Sequence, residues 1–191
     1  EALETEGVVF SSESDTEVLL ALYAKKGAEC LQDLDGMFAF AIWDKEKEEL
    51  FCARDRFGEK PFYYYTDNNQ FVFASEMKEL WAYGVEKKIR PKRLSRFLES
   101  SSVTNNSDLT ETFYENIYSL ENRHCFVLHK NVSVIKQKRY WDIDLTKVES
   151  FKGSFEEAKE TIYNLLEDSV RKRLRSDVAV GSSLSGGIDS S

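Results

Sequence analysis

The feature that most constrains the fold is a series of short apolar runs separated by very short polar turns. Residues 37–43 are apolar throughout, and the charged turn 44–48 leads into a second run at 50–53. Aromatic runs at 62–65 and 71–74 flank another polar turn. Such short connections allow only antiparallel pairing, because a parallel pair requires a crossover of a dozen or more residues. The sequence therefore predicts two β-hairpins, and the run 37–43 predicts a strand buried on both faces.

Helix signals flank these hairpins. Ser14 and Glu17 form an S-x-x-E capping box ahead of an apolar-periodic segment that ends near Gly27, which predicts a helix. A third hairpin is predicted from the runs 125–129 and 132–136. Further short helices are predicted over 28–34, 76–83 and 91–98.

A polar stretch that ends at Gly153 marks a domain boundary. Ser154 and Glu157 then form a second capping box, which predicts a long amphipathic helix to about Arg173, and residues 177–181 read as a short strand. We therefore expect a first domain over 1–140, a linker over 141–153, and the start of a second domain over 154–191.

Composition excludes several classes of function. The 191 residues carry a net charge of −8, which disfavours binding to nucleic acid. No apolar run approaches the roughly 18 residues of a membrane helix, and no basic region precedes an apolar one, so neither a membrane span nor a secretory signal is expected within this segment. The three cysteines (Cys30, Cys52 and Cys125) include no CxxC pair and sit beside apolar residues, which favours core positions in a reducing compartment over a zinc site. We expect a cytoplasmic protein with no nucleic-acid or membrane partner.

The strongest chemical signal is the segment Ser185-Gly186-Gly187-Ile188-Asp189-Ser190, directly after the predicted strand. A turn of small residues exposes successive backbone N–H groups that can cradle a phosphate. No GK[ST] follows, so the segment is not a Walker A loop. The alternative is an ordinary Gly/Ser turn.

The motifs together resemble one family. The segment SGGIDS is similar to the pyrophosphate-binding loop of the N-type ATP pyrophosphatases. The segments 34–44 (LDGMFAFAIWD), 53–64 (ARDRFGEKPFYY) and 73–78 (FASEMK) resemble glutamine-hydrolysing asparagine synthetases, in that family's order. The resemblance implies an α/β protein with two parts. The first part would be an α+β sandwich of the N-terminal-nucleophile type, with antiparallel sheets and helices, that hydrolyses glutamine. The second would be a parallel-sheet synthetase domain that uses ATP and Mg²⁺ to adenylate aspartate, so that ammonia can displace AMP.

The resemblance assigns one residue to the glutamine site and six to the nucleotide site. Asp15 matches the aspartate that holds the α-amino group of glutamine, although favouring the positive end of its helix is a second role for it. The residues that match the nucleotide site are Leu184, Ser185, Gly186, Gly187, Asp189 and Ser190. Asp189 is also the expected Mg²⁺ contact, since a bare carboxylate would repel phosphate. Leu184 would meet the nucleotide through its backbone, and a strand-end core leucine is the alternative for it.

Departures from the family pattern define what we expect to lie elsewhere. The N-terminal cysteine nucleophile, an arginine and an Asn-Gly-Glu stretch of the glutamine pocket are expected upstream of Glu1, so this fragment is expected to be inactive by itself. Residues 120–124 (LENRH) stand where the family has a Pro-Pro-Gly-His turn, which places Arg123 at the position of the glycine. The resemblance leaves room for a homodimer of the full-length protein.

Other polar residues have architectural interpretations. Arg54, Asp55 and Glu76 are expected to form buried ion pairs beneath the active site. The basic cluster at 87–96 is expected to be a solvated helical face, and His124 and His129 to be ordinary hairpin residues.

Two other functions remain open from the sequence. One is an asparagine-synthetase-like amidotransferase that acts on another carboxylate, such as one on a polysaccharide or peptide. The other is a non-catalytic paralogue that serves as a binding module, against which the intact SGGIDS segment argues.

Overall fold

A computed structural model describes residues 2–67, 69–129, 135–183 and 186–187. The chain divides into two compact units, Glu1–Ile143 and Asp144–Ser191. Among the described residues, no helix combines the length and apolar character that crossing a membrane requires.

The first unit consists of short helices and two antiparallel sheets. Its described helices are α1 (Ala2–Thr5), α2 (Asp15–Lys26), α3 (Met77–Tyr83) and α4 (Pro91–Ser100), with a 3₁₀ helix over Gly27–Gln32. Its described strands are β1 (Ala39–Asp44), β2 (Glu49–Arg54), β3 (Tyr63–Thr66), β4 (Phe71–Ala74), β5 (Ile117–Ser119), β6 (His124–His129) and β7 (Lys138–Arg139). One sheet has the order β1-β2-β6-β7 and the other β4-β3-β5.

Three apolar clusters hold these elements in four layers. Phe51 of β2 packs with Tyr23 of α2 on one face of the four-stranded sheet. Cys52, the next residue, points to the opposite face and packs with Phe62 and Tyr64 against the three-stranded sheet. The far face of that second sheet buries Leu80 of α3. The resulting order is helix, sheet, sheet, helix.

The two predicted hairpins are confirmed, but the burial of the first strand differs from the prediction. β1 lies at the edge of its sheet among the described residues, and Trp43 is 51% exposed. β2 is the strand buried on both faces, with Phe51, Cys52 and Ala53 each at most 1% exposed. β2 is central because β1 and β6 pair with its two edges, and its two faces are covered by α2 and by the three-stranded sheet. An apolar run alone does not show which strand will be central.

The third hairpin also differs from the prediction. β6 forms as expected, but it pairs with the two-residue strand β7 at Lys138–Arg139, and described residues 135–136 are not in a strand. The rest of the predicted partner strand, 132–134, lies outside the described residues. The predicted helix over 28–34 is the 3₁₀ helix, which follows directly after Gly27 (φ +57°) ends α2.

All three cysteines are free and buried, which confirms their interpretation as small core residues. Burial raises the pKa of the Cys30 thiol to about 11, and it also raises the pKa of Cys52 and of Cys125. A thiol is a good nucleophile only as the thiolate, so these three side chains are unreactive at neutral pH.

The second unit contains a 3₁₀ helix at Leu145–Lys147 and α5 (Phe155–Arg173). The predicted capping box is present: the Ser154 hydroxyl accepts from the Glu157 N–H, and the Glu157 carboxylate accepts from the Ser154 N–H at 2.6 Å. The predicted strand at 177–181 is wrong for this structure, because these residues are not in a strand. A parallel strand requires neighbouring strands for its ladder, and the described part of this unit supplies none. The parallel sheet stays a prediction.

Candidate functional site

A cleft of about 440 Å³ opens in the first unit beside the start of α2. Its walls are the first turn of α2, the segment that leads into β1, and the loop after β2. The lining residues are Asp15, Thr16, Leu19, Leu34, Asp35, Gly36, Met37, Phe38, Ala39, Phe40, Lys60, Pro61 and Ser75. The predicted glutamine ligand, Asp15, therefore lines a cleft large enough for an amino acid.

Asp15 is the first residue of α2 and is exposed in this cleft. Among the described residues, its carboxylate receives only the hydroxyl of Thr16, at 3.5 Å. The helix N-cap is formed by its neighbour Ser14, whose hydroxyl accepts from the Thr16 N–H at 3.3 Å. Asp15 is therefore not needed to cap the helix, and its carboxylate oxygens are available to a positively charged ligand.

The capping box predicted at Ser14 and Glu17 does not form. The Glu17 carboxylate reaches past Ser14 and accepts four hydrogen bonds, from the N–H and hydroxyl of Ser11 and the N–H and hydroxyl of Ser12. The Ser11 N–H, followed by the hydroxyls of Ser12 and Ser11, lowers the pKa of Glu17 to about 2. The two serines upstream of the motif were the signal in the sequence for this alternative.

Asp55 organises the opposite wall of the cleft. Its side chain is 1% exposed, and it accepts backbone hydrogen bonds from Phe57 and Glu59, both at 3.0 Å, and from Lys60 at 2.9 Å. A fourth, longer bond of 3.3 Å comes from the Phe38 N–H. One buried carboxylate thus fixes both the loop after β2 and the entry to β1.

Arg54 holds the same loop through its carbonyl groups. Its guanidinium donates to the carbonyls of Lys60 at 2.6 Å, Gly58 at 2.8 Å and Leu120 at 2.8 Å, and to the Ser119 hydroxyl at 3.1 Å. Burial lowers the pKa of this guanidinium. The backbone of Lys60 is therefore fixed through its N–H by Asp55 and through its carbonyl by Arg54.

The prediction of buried ion pairs among Arg54, Asp55 and Glu76 is wrong. Arg54 binds carbonyl oxygens and a hydroxyl, and Asp55 binds backbone N–H groups. Glu76 is exposed and pairs with Lys78 at 2.6 Å. Because a tight loop presents both N–H and carbonyl groups, it satisfies both buried charges separately.

Gly58 is required at the tip of this loop. Its φ is +71°, and a Cβ there would lie 3.1 Å from the Cβ of Asn122 and 3.3 Å from the Arg54 guanidinium. We expect Gly58→Ala to lower the free energy of unfolding by about 2 kcal/mol through backbone strain and displacement of Arg54. Urea denaturation measures this. Gly36→Ala is the control, because nothing lies within 4 Å of its Cβ position; equal stability of the two variants would contradict the expectation.

Arg123, which stands at the glycine position of the family pattern, adopts the left-handed backbone conformation that glycine favours. Its φ is +56°, and its N–H donates to the Asp55 carbonyl at 2.8 Å. Its side chain pairs with Asp142 at 2.9 Å. The turn at this position therefore imposes a left-handed conformation on a residue with a Cβ.

The basic cluster at 87–96 is only in part the solvated face that the sequence predicts: Lys87, Lys88, Lys92 and Arg96 are exposed, but Arg93 is buried. Arg93 of α4 is 2% exposed and lies 4.9 Å from the ring centre of Phe113. Arg90 lies 3.5 Å from the Glu111 carboxylate, and Arg96 donates to Asn105 at 2.5 Å. The segment 105–113 is thus held by Arg93 and Arg96 of α4 and by Arg90, the residue before the helix, which a charge pattern alone could not show.

The structure describes only part of the predicted phosphate loop. Gly186 has a φ of +75°, and among the described residues nothing lies within 4 Å of the position of a Cβ there. Such an open turn suits an anion-binding backbone. Gly187 lies beside Gly186 in a bend. The other predicted ligands lie outside the described residues: Leu184, Ser185, Asp189 and Ser190.

Comparison with known proteins establishes the family. Residues 1–141 match the family model described as a glutamine amidotransferase domain. The chain belongs to this glutamine amidotransferase family. Residues 161–191 match a second model, described as asparagine synthase.

Similar proteins carry related names. The chain is 39% identical over 182 residues to a putative glutamine-hydrolysing asparagine synthetase 2 of Methanocaldococcus jannaschii, covering 93% of this chain and 34% of that protein. It is 39% identical over 192 residues to the glutamine-hydrolysing asparagine synthetase 1 of Bacillus subtilis, and this match covers 100% of this chain and 29% of that protein. It is also 36% identical over 183 residues to the amidase chry2 of Gibberella zeae, and this match covers 95% of this chain and 26% of that protein. The chain spans about a third of the length of these relatives, or less.

A solved structure supports the fold. Glutamine phosphoribosylpyrophosphate amidotransferase from B. subtilis aligns with a TM-score of 0.50 at 22% identity, covering 73% of this chain and 25% of that one. The predicted amidotransferase fold, a sandwich of antiparallel sheets and helices, is confirmed.

Proposed function

We propose that this chain carries the later part of the glutaminase domain and the start of the synthetase domain of an asparagine synthetase. In this proposal residues 1–140 belong to the amidotransferase domain, 141–153 to a linker and 154–191 to the ATP-pyrophosphatase domain. The observation that carries the proposal is the exposed Asp15 carboxylate, which has one weak side-chain partner and lines a cleft in an amidotransferase-family chain.

At the first site, Asp15 holds the α-ammonium of glutamine. An ammonium paired with a carboxylate gains a charge-assisted hydrogen bond, and the fixed walls at Phe38 and Lys60 limit how the rest of the amino acid can lie. The nucleophile that attacks the side-chain amide and releases ammonia is proposed to be an N-terminal cysteine outside this chain. The three cysteines in this chain are too deeply buried for that role.

At the second site, the segment 184–190 binds the phosphates of ATP. The backbone N–H groups of Gly186 and Gly187 and the hydroxyls of Ser185 and Ser190 would donate to phosphate oxygens. Leu184 would contact the nucleotide through its backbone, and Asp189 would hold Mg²⁺, which supplies charge neutralisation between carboxylate and phosphate. The open left-handed turn at Gly186 supports this assignment.

The proposed reaction activates the aspartate side chain before it forms the amide. The carboxylate attacks ATP to give an aspartyl adenylate and pyrophosphate, and ammonia then displaces AMP to give asparagine. A carboxylate resists amines until it carries a good leaving group, and a route closed to water keeps ammonia unprotonated.

The proposed setting is the cytoplasm, with glutamine, aspartate and ATP as small-molecule partners and without nucleic-acid or membrane partners. The net charge of −8 supports the exclusion of nucleic acid. A homodimer of the full-length protein is compatible with this proposal.

Asp15→Asn in the full-length enzyme tests the glutamine site. We expect kcat/KM for glutamine to fall about 10- to 100-fold, because the ammonium loses an ion pair, while synthesis from free ammonia stays unchanged. Steady-state asparagine formation with each nitrogen source measures both.

The matched control is Glu13→Gln, which removes a negative charge two residues away on the same exposed segment. It should leave both activities within about twofold of the parent enzyme. Equal loss of glutamine-dependent and ammonia-dependent synthesis in Asp15→Asn would sink the assignment.

A further inference from the structure

The Glu17 side chain connects the first turn of α2 to the segment that precedes it. Its Oε1 accepts from the N–H and hydroxyl of Ser11, both at 2.9 Å, and its Oε2 accepts from the N–H of Ser12 at 2.8 Å and from the hydroxyl of Ser12 at 2.5 Å. Each oxygen of the carboxylate therefore accepts two hydrogen bonds, from the N–H and the hydroxyl of the same serine. We call this arrangement the serine clamp.

The serine clamp is not the usual way to stabilise a helix start. At α5 the equivalent Glu157 returns to the N–H of its own N-cap, Ser154. At α2 the N-cap is Ser14, and its N–H donates to the hydroxyl oxygen of Ser12 at 3.3 Å instead. Glu17 thus forms no capping box, and it instead orders the segment that contains Ser11 and Ser12, before the helix begins.

The ordered loop leads directly into Asp15. The carboxylate of Asp15 has one weak side-chain contact, so its direction depends on the backbone on either side of it. That backbone is held upstream by the serine clamp and downstream by the helix. The clamp also gives the two carboxylates separate roles, because Glu17 is fully hydrogen-bonded and Asp15 is open to a ligand.

We propose that Glu17 is a positioning residue that orients Asp15 toward the ammonium group of the amino-acid substrate. The inference rests on the proposed function of Asp15. It extends that function by naming a residue that touches no substrate and still sets the affinity for glutamine. A misplacement of about 1 Å at a binding carboxylate is enough to weaken an ion pair by an order of magnitude.

Glu17→Gln in the full-length enzyme is the decisive variant. The clamp uses two acceptor oxygens and an amide offers one, so the backbone N–H of one serine must lose its acceptor. We expect KM for glutamine to rise about tenfold, with kcat within about twofold and with ammonia-dependent synthesis unchanged. Amide hydrogen exchange at residues 11–12 should accelerate in the same variant. Glu13→Gln again serves as the charge-matched control and should change neither readout.

The double variant Ser11→Ala/Ser12→Ala removes only the two hydroxyls and keeps both backbone N–H donors. It should raise KM for glutamine about threefold, and it replaces Glu17→Gln if that variant fails to fold. Faster exchange at 11–12 with an unchanged KM, in whichever variant folds, would overturn the positioning role. If Asp15→Asn also leaves KM unchanged, the proposed glutamine site fails; if only Asp15→Asn raises KM, the clamp inference alone fails.

Discussion

Replacing Asp55 with alanine is expected to lower the free energy of unfolding of the first unit by about 3–5 kcal/mol. The carboxylate is 1% exposed and accepts hydrogen bonds from the N–H groups of Phe57, Glu59, Lys60 and Phe38. Each buried donor left without an acceptor costs about 1–3 kcal/mol, and partial entry of water reduces the sum. Urea denaturation followed by tryptophan fluorescence measures the loss.

Asp108→Ala is the control for Asp55→Ala. Asp108 also accepts a backbone N–H, from Thr110 at 3.0 Å, but it does so in an exposed turn where water can replace it. That variant should lose less than about 1 kcal/mol. If Asp55→Ala were no less stable than Asp108→Ala, the carboxylate would not be what holds the cleft wall.

Replacing Gly187 with valine in the full-length enzyme is expected to reduce ATP-dependent pyrophosphate release at least about 100-fold, with glutamine or with ammonia. A β-branched side chain prevents the close approach of phosphate to backbone N–H groups, and losing even one such donor costs about that much. Glutamate release from glutamine should persist, because it belongs to the other site.

Gly187→Ala provides the graded comparison, since a methyl group crowds the backbone less than an isopropyl group. It should retain more pyrophosphate release than Gly187→Val. Normal pyrophosphate release in Gly187→Val would mean that the segment is only a turn, and the proposed nucleotide site would then be abandoned.

Local patterns predicted the elements that local forces decide. The apolar runs flanking 44–48 and 67–69 became hairpins because short turns permit only antiparallel pairing. Ser154 and Glu157 formed their capping box because every partner lies within one helical turn. The placement of Asp15 at the start of α2 followed from the same kind of signal.

The same motif had a different outcome where a competing partner was present. Ser14 and Glu17 form the same S-x-x-E sequence motif as Ser154 and Glu157, yet the Glu17 carboxylate binds Ser11 and Ser12. Ser11 and Ser12 together offer four donors, whereas an N-cap serine offers two, its N–H and its hydroxyl, as Ser154 does to Glu157. The motif shows that a capping box is possible. The geometry of the loop before the helix decides whether Glu17 forms that box or binds other donors.

The sequence by itself determined the first two hairpins, the helix starts, the buried cysteines and the family resemblance, because each depends on neighbouring residues or on a linear motif. Only the tertiary structure decided that β2 is central, that Arg93 turns inward, and that Arg54 and Asp55 hold one loop through opposite backbone groups. Those outcomes depend on distant partners, such as the Arg54 contact with Leu120 and the β2 pairing with β6. A buried charge takes whichever partner the folded chain brings within about 3 Å, and the linear order of residues does not specify that partner.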